Sequence, residues 1–180
     1  MKKEIRILGI DDAPFNKFKD RDVIVIGAFF RGGESIDGVL SAKVEVDGTD
    51  STEKLIEMVN KSRFRPQIQA ILLDGIAFGG FNVVDIVGLY EKTKIPVIVV
   101  MRNHPDLEGI EKVLVKLKKQ ELIKLLHKAG KIHIQTAGIE LKDAKEIIKL
   151  TSTRSHIPEP IRVAHLIGAG LVLGESKGNA

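Results

Sequence analysis

The sequence predicts an α/β fold built on a mixed sheet, three antiparallel strands followed by parallel ones, with helices on both faces. Three observations carry this. Three segments rich in Ile and Val, Glu4–Ile10, Asp22–Phe30 and Ile36–Val46, follow one another through connections too short for a helical crossover, so they pair as a meander. Beyond them, continuous apolar runs alternate with helical spacing, the pattern of parallel strands buried on both faces. With 180 residues, 43% hydrophobic and 29% charged, the chain can fill one core, which predicts a single domain over 1–180.

The elements follow in order. Asp50, with Glu53 three residues on, marks a helix start, and Thr52, Leu55, Ile56 and Val59 then recur at helical spacing. Gln69–Leu73 reads as a buried strand, Phe81–Tyr90 as a helix and Pro96–Met101 as another buried strand. Helices over Glu108–Leu117 and Glu121–Ala129, a short strand Lys131–Gln135, a helix Leu141–Leu150 and a last helix from Pro160 complete the prediction. Right-handed crossovers place the Gln69–Leu73 strand beside the first and parallel to it, which is the ribonuclease H-like arrangement.

Composition narrows the chemistry. No run of 18 apolar residues and no signal-peptide segment occurs, which predicts a cytoplasmic protein without a membrane partner. With no Cys, disulfides, thiolate catalysis and Cys-based metal sites are excluded, so a metal must sit on oxygen or imidazole. Lys+Arg 28 against Asp+Glu 24 gives +4, a mild bias towards an anionic partner. Lys112, Lys116, Lys118, Lys119, Lys124, Lys128 and Lys131 read either as a nucleic-acid track or as a solvated helical face. His104, His127, His133, His156 and His165 have no metal-ligand spacing and are assigned to no metal. Neither a dinucleotide fingerprint nor a P-loop is present.

Two carboxylate positions stand out. The first strand runs into Asp11-Asp12 and the fourth into Asp74-Gly75. In parallel neighbours, roughly 5 Å apart, Asp11 and Asp74 emerge at one edge, where a divalent cation such as Mg²⁺ or Mn²⁺ would neutralise them. The plainer reading is that these Asp residues end strands and Gly75 supplies a turn.

Three separated stretches add a resemblance: Leu8-Gly9-Ile10-Asp11-Asp12-Ala13-Pro14-Phe15, the run from Leu73-Asp74-Gly75 to Asp85, and Ile157-Pro158-Glu159-Pro160-Ile161-Arg162 continuing to Ile167. Together they are similar to a family of small archaeal proteins, the endonuclease dU family, a relative of endonuclease V. The resemblance covers essentially the whole chain and implies the same ribonuclease H-like fold. It matches Asp11 and Asp74 to metal carboxylates. It makes Glu57 and Arg102 the nearest counterparts of a catalytic Glu and Lys, although Arg for Lys suits phosphate contact better than water positioning.

The resemblance further implies an endonuclease cleaving DNA, or less readily RNA, near a deaminated base such as deoxyuridine, with Asp12, Gly75 and Arg162 among the residues that bind the substrate. Phe78, Phe81 and Asn82 would line a base pocket, or Phe78 and Phe81 would be core. Arg154 would touch phosphate or sit in an exposed loop; Glu159 would be a late acidic ligand, an N-cap or a salt bridge to Arg162. A non-catalytic nucleic-acid or phosphate-binding protein that keeps the fold and an acidic pocket is the competing expectation, and a homo-oligomer is compatible with either. A phospho-receiver is disfavoured, because a strand and not a helix follows Asp11-Asp12.

Overall fold

The computed structural model of the chain describes residues 4–102, 115, 127–129 and 132–177. Strand β1 (Arg6–Asp12) pairs antiparallel with β2 (Asp22–Arg31), and β2 with β3 (Ser35–Glu45). Helix α1 (Ser51–Asn60) then crosses over, and β4 (Ala70–Asp74) returns parallel to β1, with Ile7 opposite Ala70 and Ile10 opposite Leu73. A small hairpin of β5 (Ala77–Phe78) and β6 (Asn82–Val83) precedes helix α2 (Ile86–Thr93), after which β7 (Val97–Met101) pairs parallel with β4. The order β3-β2-β1-β4-β7 is the expected ribonuclease H-like sheet.

Two departures have clear causes. The helix predicted over Phe81–Tyr90 begins only at Ile86. Gly79 and Gly80, at φ +56° and +92°, turn the chain into the β5–β6 hairpin, and the Asp85 side chain accepts from the Gly88 N–H at 3.0 Å to start the helix. The second departure lies at the far edge. There β8 (His127–Ala129) and β9 (Ile132–Ala137) form a hairpin, and β9 is antiparallel to β7. The helix predicted over Glu121–Ala129 is thus replaced by a strand at its last three residues. The rest of it, the Glu108–Leu117 helix apart from Val115, and all the basic-stretch lysines except Lys128 lie outside the described residues. Helices α3 (Leu141–Thr151) and α4 (Glu159–Leu173) close the fold, with Pro160 in the first turn of α4 as its fixed φ favours.

Alternation along the strands decides which side chains meet which helices. Leu8 and Ile10 of β1 join Ile71 and Leu73 of β4 in a core with Leu55 and Val59 of α1 and Ile86 and Leu89 of α2. The intervening Ile7, Ala70, Leu72, Ile98 and Val100 face the other way, onto Ala144 and Ile147 of α3 and Ile161 of α4. Helices therefore cover both faces. On the second face α4 lies against β1 almost backbone to backbone: a Cβ on Gly9 would come within 2.6 Å of the Ile161 nitrogen. Among the described residues no helix is long and apolar enough to cross a membrane.

Candidate active site

The same alternation that buries Ile7 and Leu72 on the α4 face carries on to the strand ends. Asp11 follows Ile7 and Gly9 on β1, Asp74 follows Ala70 and Leu72 on β4, and Arg102 follows Ile98 and Val100 just beyond β7. All three emerge under α4. On that helix Ile161, Ala164, His165 and Gly168 fall at i, i+3, i+4 and i+7, so the stripe that packs on the sheet also delivers His165 to Asp11.

These groups line one cleft of about 630 Å³, together with Asp12, Pro14, Phe15 and Gly75. His165 Nδ1 lies 2.9 Å from Asp11 Oδ2, and the other Asp11 oxygen accepts the Asp12 N–H at 2.9 Å. Arg102 donates to Asp74 Oδ2 at 2.6 Å, while its Nε is buried with no partner among the described residues. Asp12 points to the opposite face and accepts the Gly79 N–H at 2.6 Å, which ties the β5–β6 hairpin to the end of β1.

Burial sets the electrostatics. Asp11 is 4% exposed, and desolvation holds its carboxyl above the usual range against the lowering effect of the His165 bond; the charge of Asp74 adds to the rise. Asp74 is likewise raised by burial, with Arg102 pulling the other way. Asp12 is pushed up to about 6, chiefly by burial. His165 is raised by its bond to Asp11, with partial burial pulling the other way. The cleft favours a proton or a cation placed between its acids.

The two carboxylates expected at one edge, Asp11 and Asp74, are brought together, with Asp12, Gly75 and Arg102 beside them. Gly75 turns at φ +83° and donates to the Val100 carbonyl at 2.9 Å. Glu57 is not brought there: on α1 its carboxylate pairs with Lys61, and it lines a separate groove with Val39, Met58 and Phe64. Phe78 is core, and Asn82 is a structural residue whose Oδ1 accepts the Ser51 N–H at 3.0 Å, capping α1 in place of Asp50. Phe81 is 39% exposed, with the Lys17 ammonium 5.1 Å from its ring centre. Glu159 makes the salt bridge, bidentate to Arg162 at 2.9 and 2.7 Å, and these two residues line another cavity with the exposed Arg154.

His165 is the cleft residue that spacing rules miss, because Asp11, the carboxylate it bonds, is 154 residues away. Its signal is the helical stripe: a polar residue on the face that is otherwise formed by Ile161, Ala164 and Gly168.

Comparison with known proteins agrees with this architecture. A protein of Methanothermobacter thermautotrophicus, UPF0215, is 53% identical over 191 residues, spanning 100% of this chain and 94% of its own. A crystal structure from Archaeoglobus fulgidus superposes with a TM-score of 0.81 at 41% identity, covering 93% of this chain and 98% of that one. Endonuclease V of Ciona intestinalis, solved with a 24mer DNA containing an inosine, shares the fold at a TM-score of 0.60 and 18% identity, over 88% of this chain and 82% of its own. A model of the family described as Endonuclease dU matches residues 3–172, and with relatives of this identity along their whole length the chain belongs to that family.

Proposed function

We infer that the protein is a metal-dependent endonuclease that cleaves DNA, or less readily RNA, near a deaminated base such as deoxyuridine. The observation that carries this reading is the convergence of Asp11 and Asp74, from neighbouring parallel strands, on one cleft with His165 and Arg102. Membership of the Endonuclease dU family and the fold shared with endonuclease V support it.

The donor set fits a divalent cation. Both carboxylates are hard oxygen donors disfavoured as bare anions by their burial, and Mg²⁺ commonly binds through one or two carboxylates while keeping waters. No group of three acidic or His side chains in metal-holding geometry occurs among the described residues, so Asp11 and Asp74 would be the protein's share of the shell. Such an ion supplies a water activated for attack and charge stabilisation at phosphorus. Asp11 and Asp74 would hold it. His165 would fix the Asp11 carboxylate and keep a proton at Nδ1, and the exposed part of the Arg102 guanidinium would offer positive charge to a phosphate oxygen.

One observation favours a second reading, a binding protein without catalysis: Asp74 and Asp11 already have cationic partners in Arg102 and His165. Oligonucleotides carrying one deoxyuridine, one deoxyinosine or no lesion, incubated with Mg²⁺ or Mn²⁺, separate the two. Lesion-dependent nicking is expected, falling to background in Asp11→Asn/Asp74→Asn with folding retained. Unchanged nicking in that variant would exclude the proposed centre, and binding without any nicking by metal-loaded protein would favour the second reading.

A further inference from the structure

Among the described residues Phe18 is the most exposed large apolar side chain, at 94%. The chain holds only seven Phe, one Tyr and no Trp, and most of its Phe rings are spent in the core. An aromatic ring held out in water is therefore the exception here.

The ring is not on a slack loop. Between β1 and β2, the Asn16 N–H donates to Asp20 Oδ2 at 2.6 Å and the Phe18 N–H to Asn16 Oδ1 at 3.0 Å. The Lys19 and Asp20 N–H groups both donate to the Asn16 carbonyl, at 3.0 and 2.9 Å. This closed turn presents Phe18 in a fixed place. The turn is also braced against the β5–β6 hairpin: Lys17 lies over the Phe81 ring and 3.5 Å from Asp47, which accepts the Phe81 N–H at 3.0 Å.

Pro14 and Phe15 line both the acidic cleft and a second groove of about 510 Å³, whose walls are Phe18 on one side and Val172 and Leu173 of α4 on the other. The groove thus adjoins the cleft, with Pro14 and Phe15 between them. A strand whose phosphate reached Asp11 and Asp74 would pass its next bases over this apolar strip, with the Lys17 ammonium beside the backbone.

We propose that Phe18 is a stacking platform for an unpaired nucleobase flanking the phosphate held in the cleft, with Val172 and Leu173 as the opposite wall. The proposal rests on the cleft receiving a nucleic-acid strand. A base offers a π-face whatever its identity, so this contact would confer preference for single-stranded or unstacked substrate and little sequence preference. The groove's position next to the cleft, across the shared Pro14 and Phe15, favours a nucleic acid over a second copy of this chain as the occupant.

The absence of Trp allows a direct test. Phe18→Trp places a unique fluorophore at the site; titration with a single-stranded deoxyuridine 12-mer should quench it, with affinity close to that of the natural chain. Phe18→Ala should weaken binding of the same 12-mer roughly tenfold, the effect of losing one base stack. Unchanged affinity in Phe18→Ala, no quenching at saturating oligonucleotide, or no binding by any form would overturn the proposal. So would dimers in sedimentation that vanish in Phe18→Ala while oligonucleotide affinity stays the same, which would assign the surface to a contact between copies. Nicking assays on the same preparations keep the two ideas apart: quenching without nicking leaves the platform standing and the nuclease reading lost, and nicking that is indifferent to Phe18→Ala does the reverse.

Discussion

Asp11 and Asp12 are adjacent in sequence and opposite in role, because a strand sends successive side chains to opposite faces. Asp11 meets His165 under α4, whereas Asp12 holds the Gly79 N–H on the other side. If His165 orients a metal-bearing carboxylate, His165→Ala should lower metal affinity or cleavage by roughly 10–100-fold, the usual cost of losing such a partner. The effect should be greatest where the imidazole is protonated; a pH profile unchanged from that of the natural chain would count against the role. Asp12 gives a stability test. Its carboxyl titrates at about 6 in the folded chain and at the lower ordinary value when unfolded, so the folded form keeps a proton that the unfolded form loses. Stability should therefore fall as pH rises from about 4 to about 6, and Asp12→Asn should flatten that decline. Denaturant midpoints across this window check it, and equal slopes in the two proteins would refute it.

At the scale of elements, the contact between α4 and β1 governs the site. Gly9 is needed for its missing side chain, since a methyl there would strike the first turn of α4. Gly9→Ala should cost about 1–3 kcal/mol, as overpacking commonly does, and should also pull His165 away from Asp11. Urea denaturation and nicking measured together would show both losses; an activity loss with no loss of stability would argue against this account. The strands that build this contact were legible from sequence because their apolar runs are unbroken, and Asp11 and Asp74 were legible because both end such runs. The β5–β6 hairpin was not, since Phe81, Val83 and Val84 mimic a helical stripe and only the two left-handed glycines reveal the reversal. Glu57 came from the resemblance alone, and its position on α1 leaves the carboxylate at the surface, where it pairs with Lys61 one turn on. His165 was invisible to motif spacing because its meaning arises only when α4 docks.

For the molecule as a whole, a divalent cation held as proposed by Asp11 and Asp74 would bind the folded chain, which brings these two carboxylates together, and not the unfolded one. Mg²⁺ or Mn²⁺ should raise the melting temperature of the natural chain, increasingly so with metal concentration, and leave Asp11→Asn/Asp74→Asn unaffected. Differential scanning calorimetry at several concentrations would show this, and an equal rise in both proteins would place the binding elsewhere. The shift should shrink on acidification, because protons compete for the same oxygens. The order in which the chain is made gives the placement of α4 a further meaning. Asp11 leaves the ribosome 154 residues before His165, an interval of roughly 8–30 s at 5–20 residues per second. Until then the two acids have no helix above them and no imidazole beside them. The nascent chain thus carries this edge unfinished until α4 has been made, and the cleft is completed only when that helix settles onto β1.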